Sequence, residues 1–224
     1  MSPLLNVDFH CHTMASRDSL NGLPALLKTA RRHGLQRLVI TDHNTIRGAL
    51  QARRMDAELV IVGEEILTTR GELLAAFVQE EVPPRLSPLA TIERLREQGA
   101  FISVSHPFDR GRHGWALDDL LEIAPLVDAI EVFNARCVRA DLNVQAQRFA
   151  NEHGLAGTAG SDAHVLFEVG QARLVLPEFS NAAELRSVLP QARVQARLSS
   201  PMVHLGSVLA RFYQSIWLRR YKKA

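Results

Sequence analysis

Val7-Asp8-Phe9-His10-Cys11-His12 is an apolar run that ends in a pair of histidines. On an extended strand the side chains at i and i+2 share a face. Both imidazoles can therefore converge on one cation without distorting the backbone, while Cys11 between them points the other way. One such pair proves little. Four further segments, each closing an apolar β-like run, supply the same residue types: Thr41-Asp42-His43, Gly63-Glu64-Glu65, Ser105-His106-Pro107 and Gly160-Ser161-Asp162-Ala163-His164. Together these segments point to a polynuclear metal centre.

The surrounding pattern predicts how they meet. Extended apolar runs fall near residues 5–10, 37–41, 59–63, 72–78, 100–105, 128–133, 155–160, 172–176 and 192–197. Amphipathic helical segments near 23–33, 45–54, 88–98, 117–124, 139–153 and 181–189 separate most of them. Ser87-Pro88 reads as a helix N-cap followed by its first residue, and Gly34, Gly99 and Gly154 stand where a glycine ends a helix. Strand and helix alternating in this way predict an α/β barrel, in which the loops after the strands gather at one end and hold the ligands. All the metal-type segments lie at that end of their strands, whereas His33, His113, His153 and His204 scatter.

With 224 residues, 46% of them hydrophobic, the chain can bury a full core, and no linker divides it. The 26 Lys and Arg nearly balance the 24 Asp and Glu, so a net charge of +2 gives no global basic field for nucleic acid. Two cysteines, Cys11 and Cys137, are too few for a disulfide framework and read as packing residues in a reducing compartment. The N-terminus lacks a signal-peptide pattern and no stretch reaches the roughly 18 continuous apolar residues of a membrane span. A soluble, cytoplasmic protein is expected.

The set His10-x-His12, Thr41-Asp42-His43, Gly63-x-Glu65, Ser105-His106-Pro107 and Ser161-Asp162-x-His164, in this order, resembles the PHP (polymerase and histidinol phosphatase) family from about Val7 to Arg197. The resemblance implies a distorted seven-stranded (β/α) TIM-like barrel over residues 1–200. It also implies two or three divalent transition-metal ions (Mn, Zn or Fe) and hydrolysis of a phosphate ester by metal-activated hydroxide. On the family pattern His10, His12, Glu65 and Asp162 hold a first metal, Glu65 bridges to a second that also takes His106, and Asp18, His43 and His164 hold a third. Asp18 occupies a position where relatives place Asp or His. Glu72, in Arg70-Gly71-Glu72-Leu73, stands where many relatives carry a His; it ligates, hydrogen-bonds a metal water, or is a solvated hairpin charge.

Arginines near the mouth are candidates to bind substrate phosphate: Arg17, Arg110, Arg112 and above all Arg136, which follows a strand end directly. Glu65, Asp162 and Arg136 are the expected catalytic residues. Asp8 and Asp42 are expected behind the ligands, orienting imidazoles. Gly111 and Gly114 suggest a mobile loop around Arg110 and Arg112. Met202, Leu205, Leu209, Phe212 and Ile216 recur at helical spacing before a basic end at 219–223, predicting a C-terminal amphipathic helix over 201–224. Docking on the barrel is its simplest use; dimerisation and peripheral membrane contact are the others. The expected substrate is a small phosphomonoester or nucleotide. The alternatives are 3′-5′ exonuclease action on short oligonucleotides and a non-catalytic, metal-stabilised binding module.

Overall fold

The computed structural model describes residues 3–200, 202, 203, 207, 208 and 210. In chain order the elements are β1 (Leu4–Cys11), α1 (Leu23–Arg32), β2 (Arg37–Ile40), α2 (Arg47–Met55), β3 (Val60–Leu67), β4 (Glu72–Ala76), α3 (Pro88–Glu97) and β5 (Phe101–Val104). They continue with α4 (Leu117–Ile123), β6 (Ala129–Asn134), α5 (Ala140–Glu152), β7 (Ala156–Gly160), β8 (Ala172–Pro177), α6 (Ala182–Val188) and β9 (Arg193–Ala196). The punctuation works as its chemistry dictates. Ser87 accepts a hydrogen bond from the Ala90 N–H at 3.2 Å ahead of α3, and Gly34, Gly99 and Gly154 take positive φ just past α1, α3 and α5.

Among the described residues the strands form one sheet in the order β7-β6-β5-β4-β3-β2-β1-β8-β9. Strands β1 to β7 curl into a nearly closed barrel, because just past β7 the Asp162 N–H donates to the His10 carbonyl at 2.7 Å and the Ala163 carbonyl accepts from the His12 N–H at 3.0 Å. Gly160 makes this approach possible: a Cβ there would lie 2.2 Å from that of His10. The TIM-like α/β barrel expected from the sequence is therefore present, with two departures. First, β8 and β9 extend the sheet antiparallel beyond β1. Second, β3 and β4 form an antiparallel hairpin closed by Thr68 and Gly71, with no helix between them, and β4 is antiparallel to β5 as well. Since β4 runs backwards, its first residue, Glu72, lies beside the C-terminal ends of its parallel neighbours.

Two apolar layers hold the barrel. Leu38, Ile40, Val62, Ile102, Val104 and Val132 pack outward against Leu26, Ala49, Leu95, Leu120 and Phe149 of the helices. Val7, Phe9, Val39, Ile61 and Phe101 fill the lower interior, which Ala182 and Leu185 of α6 close. Each such large side chain contributes about 1.5–3 kcal/mol by burial. Arg186 fixes α6 beneath the strand starts, donating to the Ala100 carbonyl at 2.6 Å and pairing with Asp128 at 3.0 Å. Higher up the fill turns polar, first with Ser103 and Thr158 hydroxyls 2.8 Å apart, then with Glu65, Ser105 and Glu131, all buried.

A β-bulge in β1 sets the orientation of the key histidines. Asp8 pairs with Leu38 but Cys11 pairs with Ile40, so β1 holds one extra residue there. Below it Val7 and Phe9 face the barrel interior; above it His10 and His12 do, and Cys11 joins the outer core.

The C-terminal helix expected over 201–224 falls largely outside the described residues, including Leu205, Leu209, Phe212, Ile216 and the basic end. Of those described, Val203, Ser207 and Ala210 are buried and Met202 and Val208 exposed. No described helix is long and apolar enough to cross a membrane.

Candidate metal centre

The upper end of the barrel brings every expected ligand into one cluster. Glu65 stands at its middle: Oε2 lies 3.4 Å from Nε2 of both His10 and His12 and 2.9 Å from His43 Nδ1, and Oε1 lies 3.2 Å from His106 Nε2. Asp162 Oδ1 is 3.2 Å from His12 Nε2 and 3.6 Å from His10 Nε2. Asp18 sits between His43 and His164, at 3.6 and 3.5 Å. Glu72 is buried, not a solvated hairpin charge, and its Oε2 lies 3.6 Å from His106 Nε2. Among the described residues, three overlapping groups have atoms close enough to hold an ion: His10, His12 and Asp162; His12, His43 and His164; His43, Glu65 and Glu72.

The donor set fits cations because the inward atoms are acceptors. His10 Nδ1 lies 3.0 Å from Glu131 Oε1, so in the neutral ring that nitrogen carries the proton and Nε2 presents a lone pair. The Ser16 hydroxyl donates to Asp42 Oδ1 at 2.7 Å and so accepts from His12 Nδ1 at 3.2 Å, leaving His12 Nε2 a lone pair too. His164 Nδ1 donates to the Asp162 carbonyl at 2.7 Å, with the same result. His10 Nε2 and His12 Nε2 are then 3.0 Å apart, facing the buried Glu65 Oε2, which His43 Nδ1 approaches from the other side. Lone pairs so placed repel unless a positive charge lies among them.

The electrostatics call for positive charge at the same place, supplied either by a cation on these nitrogens or by a second proton on His10. Burial disfavours charge on His10, yet Glu65, Asp162 and Glu131 outweigh it and hold the imidazole well above its ordinary pKa. Burial, with His164 and His43 alongside, pushes His12 down to about 3. Against burial, His10 and His43 hold Glu65 well below the usual carboxylate range, whereas burial and the charge of Glu65 push Glu72 up to about 7.

Behind these residues, Asp42 contacts His12 through Ser16. Asp8 does not. The bulge turns it off the histidine face, and its oxygens accept from the backbone N–H groups of Ser161 (2.9 Å), Gly170 (3.0 Å) and His10 (3.2 Å), pinning the barrel seam instead of an imidazole. Glu131 is the residue that orients His10. It is an acid inside an apolar strand, Ala129-Ile130-Glu131-Val132-Phe133, and that interruption was its one sequence signal. Glu168 is also buried, and its Oε2 accepts from the His164 N–H at 2.9 Å; nothing in its loop sequence marks it.

A cavity of about 420 Å³ opens onto the cluster. Arg136 lines it, buried, with Nε 3.1 Å from Glu168 Oε1 and an N–H donated to Ser207 Oγ at 2.9 Å. Arg112 lines it as well, whereas Arg17 and Arg110 are exposed and are not part of its wall. The loop around Arg112 is tightly folded: a Cβ on Gly114 would lie 2.6 Å from the Asp109 backbone, and the Asp109 carbonyl accepts from the N–H groups of Arg112 and Gly114, both at 2.9 Å. His113, which the sequence scatters away from the ligands, is at the cavity mouth. Cys137 borders the site, its Sγ accepting from Arg112 at 3.6 Å.

Comparison with known proteins agrees with this geometry. A family model described as PHP-associated matches residues 141–194. The chain is 35% identical over 180 residues to the uncharacterized protein MJ0417 of Methanocaldococcus jannaschii, covering 79% of this chain and 72% of that one. Its fold is similar to that of a Bifidobacterium adolescentis protein assigned as a metal-dependent phosphoesterase (TM-score 0.59, 18% identity, 73% of this chain and 89% of that one). It is also similar to endonuclease Q in complex with a 27-mer duplex carrying an abasic lesion (TM-score 0.63, 16% identity, 84% of this chain but 57% of that one). With its ordered ligand motifs gathered at the top of one barrel, the chain belongs to the PHP family.

Proposed function

We propose that this chain is a metal-dependent phosphoesterase acting on a small phosphomonoester or nucleotide. The observation that carries the reading is the cluster of imidazoles and carboxylates around Glu65 opening into a cavity walled by the buried Arg136. Divalent cations held by His10, His12, Asp18, His43, Glu65, Glu72, His106, Asp162 and His164 would polarise a phosphoryl group and activate a water for attack at neutral pH. The mixed nitrogen and oxygen donors suit Mn, Zn or Fe.

The chain's own residues supply the rest. Arg136 binds non-bridging phosphate oxygens, with Glu168 and Ser207 fixing its guanidinium. Glu65 spans the cluster with both oxygens, and Asp162 closes it from the loop just past β7. Neither thiol is suited to act as nucleophile: burial pushes Cys137 up to about 12 and Cys11 well above its ordinary value. The cavity is the size of a small-molecule site.

A panel of phosphorylated metabolites assayed with Mn, Zn and Fe(II) tests this. Metal-dependent phosphate release from at least one monoester is the expected result; turnover confined to oligonucleotides, and steeply salt-dependent, would replace it with nuclease action. The fold likeness to endonuclease Q favours that second reading.

A further inference from the structure

Arg112 is at the cavity wall, where a phosphate clamp would stand, yet its guanidinium is already engaged. Nε donates to Asp109 Oδ2 at 2.8 Å, one terminal nitrogen reaches Asp162 Oδ2, and the other donates to Asn134 Oδ1 at 3.2 Å and to Cys137 Sγ. Asp162 is divided accordingly. Its Oδ2 is held by Arg112 and by the Asn134 amide at 3.2 Å, while its Oδ1 faces His10 and His12. The backbone assists, since Asp162 has φ 53°, a left-handed conformation that Asp tolerates, and its N–H is tied to β1. The supporting loop starts at His106, another residue of the cluster, through the Asp109 N–H donated to the His106 carbonyl at 3.0 Å.

We propose that Arg112 is a positioning residue for the metal centre: by holding Asp162 Oδ2 it confines that ligand to its Oδ1 and weakens the cluster's grip on cations. The inference rests on the metal-centre reading but not on any activity. A fixed positive charge bonded to a ligand carboxylate draws off its negative charge and repels an incoming cation. Removing it withdraws the charge and leaves Oδ2 with the Asn134 amide alone, which still keeps Asp162 in place.

The test is calorimetric titration of Mn(II) into the full-length, metal-stripped protein and into Arg112→Gln, Arg112→Lys and Arg110→Gln. Arg112→Gln is expected to bind Mn(II) about tenfold tighter, the scale of changes behind metal ligands. Arg112→Lys, which keeps the charge, stays nearer the wild type, and Arg110→Gln, exposed on the same loop, matches it. Wild-type affinity in Arg112→Gln with a raised KM for a phosphomonoester would make Arg112 a substrate clamp and overturn the proposal, as would weaker Mn(II) binding in both Arg112 variants. A wild-type protein that takes up no cation would instead remove the metal-centre reading beneath it.

Discussion

Glu131 Oε1 lies 3.0 Å from His10 Nδ1 while its Oε2 accepts from the His106 backbone N–H at 2.8 Å. One buried carboxylate on β6 thus fixes the tautomer of a histidine on β1 and the peptide carrying a histidine after β5. The interior of the barrel, not its loops alone, pre-organises the site.

Glu131→Gln should lower the affinity for Mn(II) about 10- to 100-fold, because the amide cannot accept at both ends and carries no charge to raise the basicity of His10. Calorimetry on stripped protein measures this. Unchanged affinity would mean that His10 is held by other contacts.

Arg136→Ala removes a charge-assisted hydrogen bond to phosphate of about 1.5–3 kcal/mol, so kcat/KM for a phosphomonoester should fall about ten- to a hundredfold at constant metal content. Arg17→Ala and Arg110→Ala, both exposed, should leave it near the wild-type value. Steady-state kinetics at matched metal occupancy decide the matter, and an unaffected Arg136→Ala enzyme would move the phosphate contact elsewhere.

Glu64, adjacent to Glu65 but on the outer face of β3, yields a pH prediction separate from the metal. It is fully buried, with Oε2 accepting from the Val82 N–H at 3.0 Å and Oε1 unpartnered, and burial together with Glu81 pushes it up to about 8. Between its ordinary value of 4.5 and about 8 the folded chain keeps a proton that the unfolded chain has released, so its contribution to stability falls as pH rises through that window. In metal-stripped protein the Tm of Glu64→Gln minus that of wild type should therefore increase from pH 5 to pH 8. A difference independent of pH would show that Glu64 ionises freely.

The sequence made the barrel legible because strand and helix periods alternate and because His10, His12, His43, Glu65, His106 and Asp162 each close an apolar run. Three features escaped it for physical reasons. The bulge in β1 shifts the phase of alternation by one residue, which no local pattern records, and so Asp8 was misplaced. The β3–β4 hairpin reverses a strand, placing Glu72 at the ligand end although it begins its strand. Glu131 and Glu168 act through contacts 121 and four residues distant in the chain, respectively, and only the folded barrel brings the first of them to its histidine.

The transition-metal content of the purified chain tests the central claim most directly. Protein prepared in metal-replete medium should carry two or three ions per chain by elemental analysis, the number a shared carboxylate centre supports, and after stripping should rebind them with measurable heat. Glu65→Gln, which removes the charge at the middle of the cluster, should retain fewer. Protein that carries no metal from such a preparation and shows no heat of rebinding would contradict the account.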